Sequence, residues 1–215
     1  SRDKTVFSCQ NCGHSAPKWT GRCAVCGEWN TMVEEVLIPA DREALLPMSE
    51  PVLFESVRNT AVERKTTGME EFDRVLGGGV VSGSVVLLGG EPGIGKSTLM
   101  LQTSRFFTEA GERVLYVSGE ESLEQIKLRG ERIGVGGGPL FLLAETNLEN
   151  ILSRMDDVKP TIIILDSVQT VFSAKLTSSP GTISQVREVA NQIFRTAKTR
   201  SIPVFLVGHI TKDGS

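Results

Sequence analysis

The residues best able to do chemistry form one short run, Gly90-Glu91-Pro92-Gly93-Ile94-Gly95-Lys96-Ser97. Its spacing matches G-x4-G-K-[ST], the pattern of a phosphate-binding loop. Glycines let backbone N–H groups wrap phosphate oxygens, Lys96 reaches the β and γ oxygens, and Ser97 offers its hydroxyl to magnesium. The expected ligand is a nucleoside triphosphate with Mg2+, and Thr98 continues the binding segment into the helix that must follow.

Three further side chains could complete that chemistry. Asp166 ends the apolar run Thr161-Ile162-Ile163-Ile164-Leu165. An acid at the C-terminal end of a strand can hold the magnesium shell through water, the alternative being a helix or turn cap. Glu120 stands in Ser118-Gly119-Glu120-Glu121-Ser122. A carboxylate there can face the γ-phosphate and polarise water, help typically worth about 10²–10⁴ in rate. Glu121 reads as a helix-start charge favoured by the dipole. His209 ends the run 204–207 and Gly208; it can sense the γ-phosphate and pass its loss to the next loop, or be an ordinary satisfied polar side chain.

A second chemistry lies at the start of the chain, where Cys9-x2-Cys12 and Cys23-x2-Cys26 hold all four cysteines. Two residues between thiolates let one tight turn aim both sulfurs at a point, and two such knuckles make a tetrahedral S4 shell for zinc. Gly13 and Gly27 follow the pairs, as a knuckle needing positive φ requires. Disulfides or a redox CxxC are the alternative, but the rest of the chain has a cytosolic character, where structural disulfides are scarce. His14 is then surplus. Trp19 and Trp29 could stack on bases or form the minimal core of a module too small to fold without metal.

These side chains need a scaffold, and the apolar pattern supplies one. Five short runs, 85–88, 114–117, 140–143, 162–165 and 204–207, are separated by helix-length segments. Continuous apolar runs alternating with helices describe an α/β domain with a mostly parallel sheet buried on both faces. Leu99, Thr103, Phe106, Phe107 and Ala110 share one helical face before Gly111 stops the helix, and Ile183, Val186, Ala190, Ile193 and Ala197 repeat the pattern. Right-handed crossovers gather the strand C-termini along one edge, where the loop and the acids must meet. Residues 36–60 carry three prolines and no sustained period, which reads as a connector between a module at 1–35 and a domain at 61–215.

Composition sets the outer bounds. The chain has 215 residues, 40% hydrophobic and 23% charged, ordinary for a folded protein and unlike a disordered one. No apolar stretch approaches the roughly 20 residues of a bilayer crossing, so neither a membrane span nor a secretory signal is expected, and the expected location is the cytoplasm. Lys plus Arg number 23 against 26 Asp plus Glu, a net charge of −3. No overall basic field argues for nucleic acid, so any such contact must come from a local surface or from assembly of several subunits.

Several segments are more specific than the phosphate loop: the tetracysteine start, Thr67-Gly68-Met69-Glu70-Glu71-Phe72-Asp73-Arg74-Val75-Leu76-Gly77-Gly78-Gly79, Ser118-Gly119-Glu120-Glu121-Ser122, Gln125-Ile126-Lys127-Leu128-Arg129, Leu165-Asp166-Ser167-Val168-Gln169-Thr170, and Gly208-His209-Ile210-Thr211-Lys212-Asp213-Gly214. Together they resemble the RadA (Sms) family of bacterial RecA-type ATPases, over almost the whole chain. The resemblance implies an ATP-hydrolysing DNA repair and recombination protein that binds single-stranded DNA and drives branch migration of recombination intermediates as a ring-shaped homo-hexamer, with the recombinase RecA as a partner. It implies that Glu120 is the catalytic carboxylate and His209 the γ-phosphate sensor. It also implies mobile DNA-facing loops at 172–182 and from Thr211 onward, with Lys175 and Lys212 as phosphate contacts. Members of the family continue with a KNRFG motif and a Lon-protease-like domain, neither of which occurs in these residues, so the resemblance implies a chain cut within the second DNA loop and weakened as an ATPase. The alternative is a nucleotide-switched interaction protein that docks a recombinase or helicase through its zinc module.

Overall fold

The computed structural model describes residues 4–37, 50–57 and 63–209. Most of the expected connector, Lys212 and the second expected DNA loop lie outside the described residues. The chain divides into two compact units, one running to Glu63 and including Lys175–Ser178, the other comprising Arg64–Ala174 and the residues from Ser179 onward.

In the first unit, β1 (Lys4–Cys9), β2 (Ser15–Ala16) and β3 (Met32–Leu37) form an antiparallel sheet in the order β2-β1-β3. Cys9 stands opposite Met32 and Phe7 opposite Ala16. Cys9, Cys23 and Met32 are the buried core, packed by Phe7, Cys12, Ala16 and Cys26. Sulfurs and one methionine therefore fill the interior, and the tryptophans do not: Trp19 is 56% and Trp29 67% exposed. The indoles flank Gly21, with the Arg22 guanidinium 5.9 Å from the centre of the Trp29 ring. Gly13 and Gly27 have φ of 71° and 75°, as the knuckles require.

The second unit opens with β4 (Arg64–Lys65), α1 (Glu70–Val75) and β5 (Val80–Val81), the two strands pairing antiparallel. There follow β6 (Val85–Gly90), α2 (Lys96–Glu109), β7 (Val114–Ser118), α3 (Leu123–Arg132), β8 (Leu140–Ala144), α4 (Leu148–Val158), β9 (Ile162–Asp166), α5 (Ile183–Arg200) and β10 (Val204–His209). The five expected runs are the five strands of one parallel sheet, in the order β6-β10-β9-β7-β8.

Alternation of side chains along each strand splits the interior in two. Leu115, Val117, Ile163, Leu165, Val204 and Leu206 pack with residues of α4 and α5 on one face. Val114, Tyr116, Ile162, Ile164, Phe205 and Val207 pack with residues of α2 and α3 on the other. Both faces being covered explains why β7, β9 and β10 read as unbroken apolar runs.

The helix ends follow local chemistry. Ser122 and Gln125 close a capping box on α3, and the Asn147 side chain accepts from the Asn150 N–H at the start of α4. After α2, the N–H groups of Gly111 and Glu112 bond back to Thr108 and Phe107 carbonyls, the pattern of a glycine stop at φ 86°. The buried arc of α2 differs from the expected face. It comprises Met100, Leu101, Thr103, Ser104, Phe107 and Thr108, while Ala110 is exposed at the cap. Small polar residues can be buried here because Thr103 and Ser104 hydroxyls donate to carbonyls one turn back, both at 2.8 Å.

Candidate functional site

The phosphate loop lies between β6 and α2, in the strand–turn–helix setting its motif needs. Gly93 and Gly95 have φ of 82° and 98°, and a Cβ built on either would meet no heavy atom within 4 Å. The loop thus borders open space that a side chain would enter. Gly95 is the N-cap of α2 and no side chain caps that end, so the first-turn N–H groups face an anion site by default. These features fit a bound phosphate chain.

Lys96 is 6% exposed, and its Nζ donates to the Gly90 and Glu91 carbonyls at 2.8 Å each. The same nitrogen lies 3.2 Å from His209 Nδ1. On the other side of that ring, Nε2 is 3.2 Å from Glu120 Oε1. One line of contacts thus joins Lys96 at the start of α2, His209 at the end of β10 and Glu120 in the turn after β7. The register explains this: His209 pairs with Gly90, and both Val207 and Ser118 pair with Asp166.

Asp166 is buried at the end of β9, and its Oδ2 accepts the Tyr116 hydroxyl at 2.6 Å. Burial, then the neighbouring Asp166 charge, push the Tyr116 phenol far above its ordinary range, so it stays a donor. The Asp166 backbone carbonyl accepts from Gly119 N–H at 3.0 Å, which ties the turn carrying Glu120 to the end of β9. Ser167 donates from Oγ to Glu120 Oε1 at 2.7 Å. Gln169 donates from Nε2 to the His209 carbonyl at 3.0 Å, while its buried Oε1 has no partner among the described residues. Ser97 and Thr98 stand in the first turn of α2, partly buried.

Glu121, expected as a dipole charge, instead pairs with Arg129 Nη1 at 2.5 Å. Lys175 is exposed and falls in the short stretch that groups with the first unit. The segment expected to be mobile from 172 is anchored where it starts. Ser173 N–H donates to Gln185 Oε1 at 2.9 Å, its hydroxyl to Glu149 at 2.6 Å, and Ala174 N–H to Glu149 at 3.1 Å.

No role for Tyr116, Ser167, Gln169 or Arg129 was read from the sequence, where the last three appear only within segments that carry the resemblance. A signal existed for Tyr116: it is the chain's single tyrosine, inside a strand otherwise aliphatic, and a buried phenol needs a partner. The role of Ser167 depends on strand adjacency and carries no local signal.

The four cysteine sulfurs of the first unit lie within 4.8 Å of one another. Cys9 and Cys26 sulfurs are 3.6 Å apart and Cys12 and Cys23 sulfurs 3.5 Å, near the edge of about 3.8 Å for a tetrahedron with Zn–S bonds of about 2.3 Å. Burial works to raise Cys9, but the Thr31 hydroxyl and the backbone N–H groups of Cys12 and Asn11 bring it down to about 6. Cys12, though favoured by the His14 backbone, is pushed up to about 12 by burial and the facing sulfurs. Backbone N–H groups of Cys26 and Val25 also hold Cys23 below its ordinary value against the effect of burial, so the site supports thiolates on both knuckles while Cys12 alone is opposed by its neighbours. His14 is not part of the cluster. The donor set fits zinc.

Residues 55–215 match the family model described as an AAA domain, and residues 7–34 match the one described as a rubredoxin metal binding domain. Among curated proteins, the chain is 47% identical over 222 residues to the DNA repair protein RadA of Bacillus subtilis (strain 168). It is 48% identical over 219 residues to that of Streptococcus pyogenes serotype M6 and 48% over 220 residues to that of Aquifex aeolicus (strain VF5). Each alignment covers 100% of this chain and 48% of the relative. The chain spans about half the length of the curated relatives it matches. No helix among the described residues is long and apolar enough to cross a membrane. The first match takes in the phosphate loop and all five parallel strands, the second all four cysteines, and on that footing the chain belongs to the AAA domain family and is similar along its whole length to bacterial RadA proteins.

Proposed function

We propose that the chain is the nucleotide-binding part of a cytoplasmic DNA repair ATPase, in which ATP hydrolysis drives branch migration on single-stranded DNA and recombination intermediates within a homo-hexameric ring. The observation that carries this reading is the line from Lys96 through His209 to Glu120, with 3.2 Å contacts at both ring nitrogens. Lys96 rests on two carbonyls that phosphate oxygens can replace. Ser97 and Asp166 would hold Mg2+, which neutralises phosphate charge when bound. Glu120 accepts a proton from the attacking water.

His209 is the go-between in this reading. A phosphate that engages Lys96 competes with His209 Nδ1 for the same nitrogen, and the His209 carbonyl is held by Gln169, two residues beyond Ser167. The nucleotide state can therefore reach the segment leading to Lys175. Lys175 and Lys212 are the proposed DNA contacts, and RecA is the proposed recombinase partner. Residues 1–35 are the proposed zinc module and 61–215 the proposed ATPase domain.

The test is hydrolysis in the whole protein with and without single-stranded DNA. Lys96→Ala should abolish turnover, and Glu120→Gln should bind ATP yet hydrolyse it at least about a hundredfold more slowly. Retained turnover in Lys96→Ala, or DNA that neither stimulates hydrolysis nor binds more weakly as salt rises, overturns the reading.

A second reading, nucleotide-switched docking of a recombinase or helicase through the zinc module, is favoured by the exposure of Trp19, Val25 and Trp29. Deleting residues 1–35 separates the two. A motor keeps its DNA affinity without them, whereas a docking protein loses capture of its partner.

A further inference from the structure

We propose that Ser167 is the positioning residue of the water-polarising carboxylate: its hydroxyl pins Glu120 Oε1 and leaves Oε2 to face the reacting water. This rests on the reading of Glu120 given above. Ser167 is 0% exposed, and its Oγ donates to Glu120 Oε1 at 2.7 Å across 47 positions of sequence. A serine that merely finished a turn would bond back to nearby backbone. Here Thr170 does that, its hydroxyl donating to the Ser167 carbonyl at 2.8 Å. The Ser167 hydroxyl is left for the carboxylate on the neighbouring strand end.

The backbone enforces this meeting. Gly119 N–H donates to the Asp166 carbonyl at 3.0 Å, so the residue before Glu120 is bonded to the residue before Ser167. A Cβ on Gly119 would lie 2.0 Å from Thr170 Oγ1, so the two turns sit as close as glycine permits. The Glu120 side chain is otherwise 47% exposed and would sample several rotamers. Its Oε1 takes Ser167 and faces His209, while Oε2 accepts no hydrogen bond among the described residues. Ser167 thus selects which oxygen is presented. Misplacing a catalytic group by about 1 Å can cost a hundredfold, which is why one hydroxyl can matter for rate while leaving binding intact.

The experiment measures ATP affinity, kcat and KM in the whole protein for Ser167→Ala, Glu120→Gln and the double variant. Removing a donor to a charged acceptor should lower kcat roughly ten- to a hundredfold and leave KM and ATP affinity within about twofold. In the Glu120→Gln background, adding Ser167→Ala should change the residual rate by less than about twofold. Unchanged kcat in Ser167→Ala, or the same loss with and without the Glu120 carboxylate, overturns the inference. Wild-type turnover in Glu120→Gln alone overturns the underlying reading of Glu120 and the inference with it. If Ser167→Ala fails to fold, Ser167→Cys decides. It keeps the bulk with a weak donor, and a wild-type kcat there counts against the proposal while an intermediate one supports it.

Discussion

Tyr116→Phe removes one oxygen from a fully buried ring and nothing else. The lost bond is the 2.6 Å donation to Asp166 Oδ2. Ring packing in the α2 and α3 face is kept, so no cavity term arises, and the cost is that of a hydrogen bond to a charged acceptor, about 1.5–3 kcal/mol. For a domain of this size, each kcal/mol moves the melting temperature by roughly 2–4 °C. The expected fall is about 3–12 °C. Far-UV circular dichroism is the assay to use, because the five α-helices described all belong to the second unit, whereas both tryptophans, Trp19 and Trp29, report on the first. In an Asp166→Asn background the same substitution should cost less than half as much, since the charged partner has gone. A shift under about 1 °C, or an equal loss in both backgrounds, refutes the claim that this bond holds the carboxylate.

Chelating zinc should unfold the first unit alone: tryptophan emission changes and residues 7–34 become protease-sensitive while the helical signal persists, and simultaneous loss of both signals contradicts two independent units. A pH series tests Glu145, whose carboxylate is held below the ordinary carboxylate range by the Asn147 N–H, then by the Asn150 amide. A depressed carboxylate stabilises above the unfolded value and loses that contribution as pH falls through the folded one. Glu145→Gln should therefore melt earlier than wild type at neutral pH and converge with it as pH falls through the folded carboxylate's range; a gap that stays constant as pH falls rejects the assignment.

How much was legible depends on how local the cause is. The five strands could be read because each carries an unbroken apolar run, which burial on both faces explains for β7, β9 and β10, whereas the edge strands β6 and β8 leave Leu87 and Phe141 exposed. The phosphate loop and the cysteine knuckles could be read because their function needs fixed residue types at fixed spacing. The order of strands could not: nothing in the run 204–207 says that β10 lies between β6 and β9, yet that placement alone brings His209 to Lys96. The same holds for Ser167 and Tyr116, whose partners lie 47 and 50 positions away. The face of α2 was misread because Thr103 and Ser104 satisfy their hydroxyls within the helix, so polarity no longer marks the outside. Of the two alternatives for Trp19 and Trp29, the minimal core is the one that fails, because sulfur can fill the interior of a module this small.

The split interior has a further consequence. Ile164 and Leu165 are neighbours on β9, yet one packs toward the helix that begins at the phosphate loop and the other toward α5, whose Gln185 grips Ser173. Two adjacent codons therefore write to separate mechanical compartments, one shared with nucleotide grip and the other with the mooring of the segment after β9. Substitutions that loosen one side leave the other's packing intact, so each layer could drift or be tuned by mutation on its own, with only the strand backbones in common.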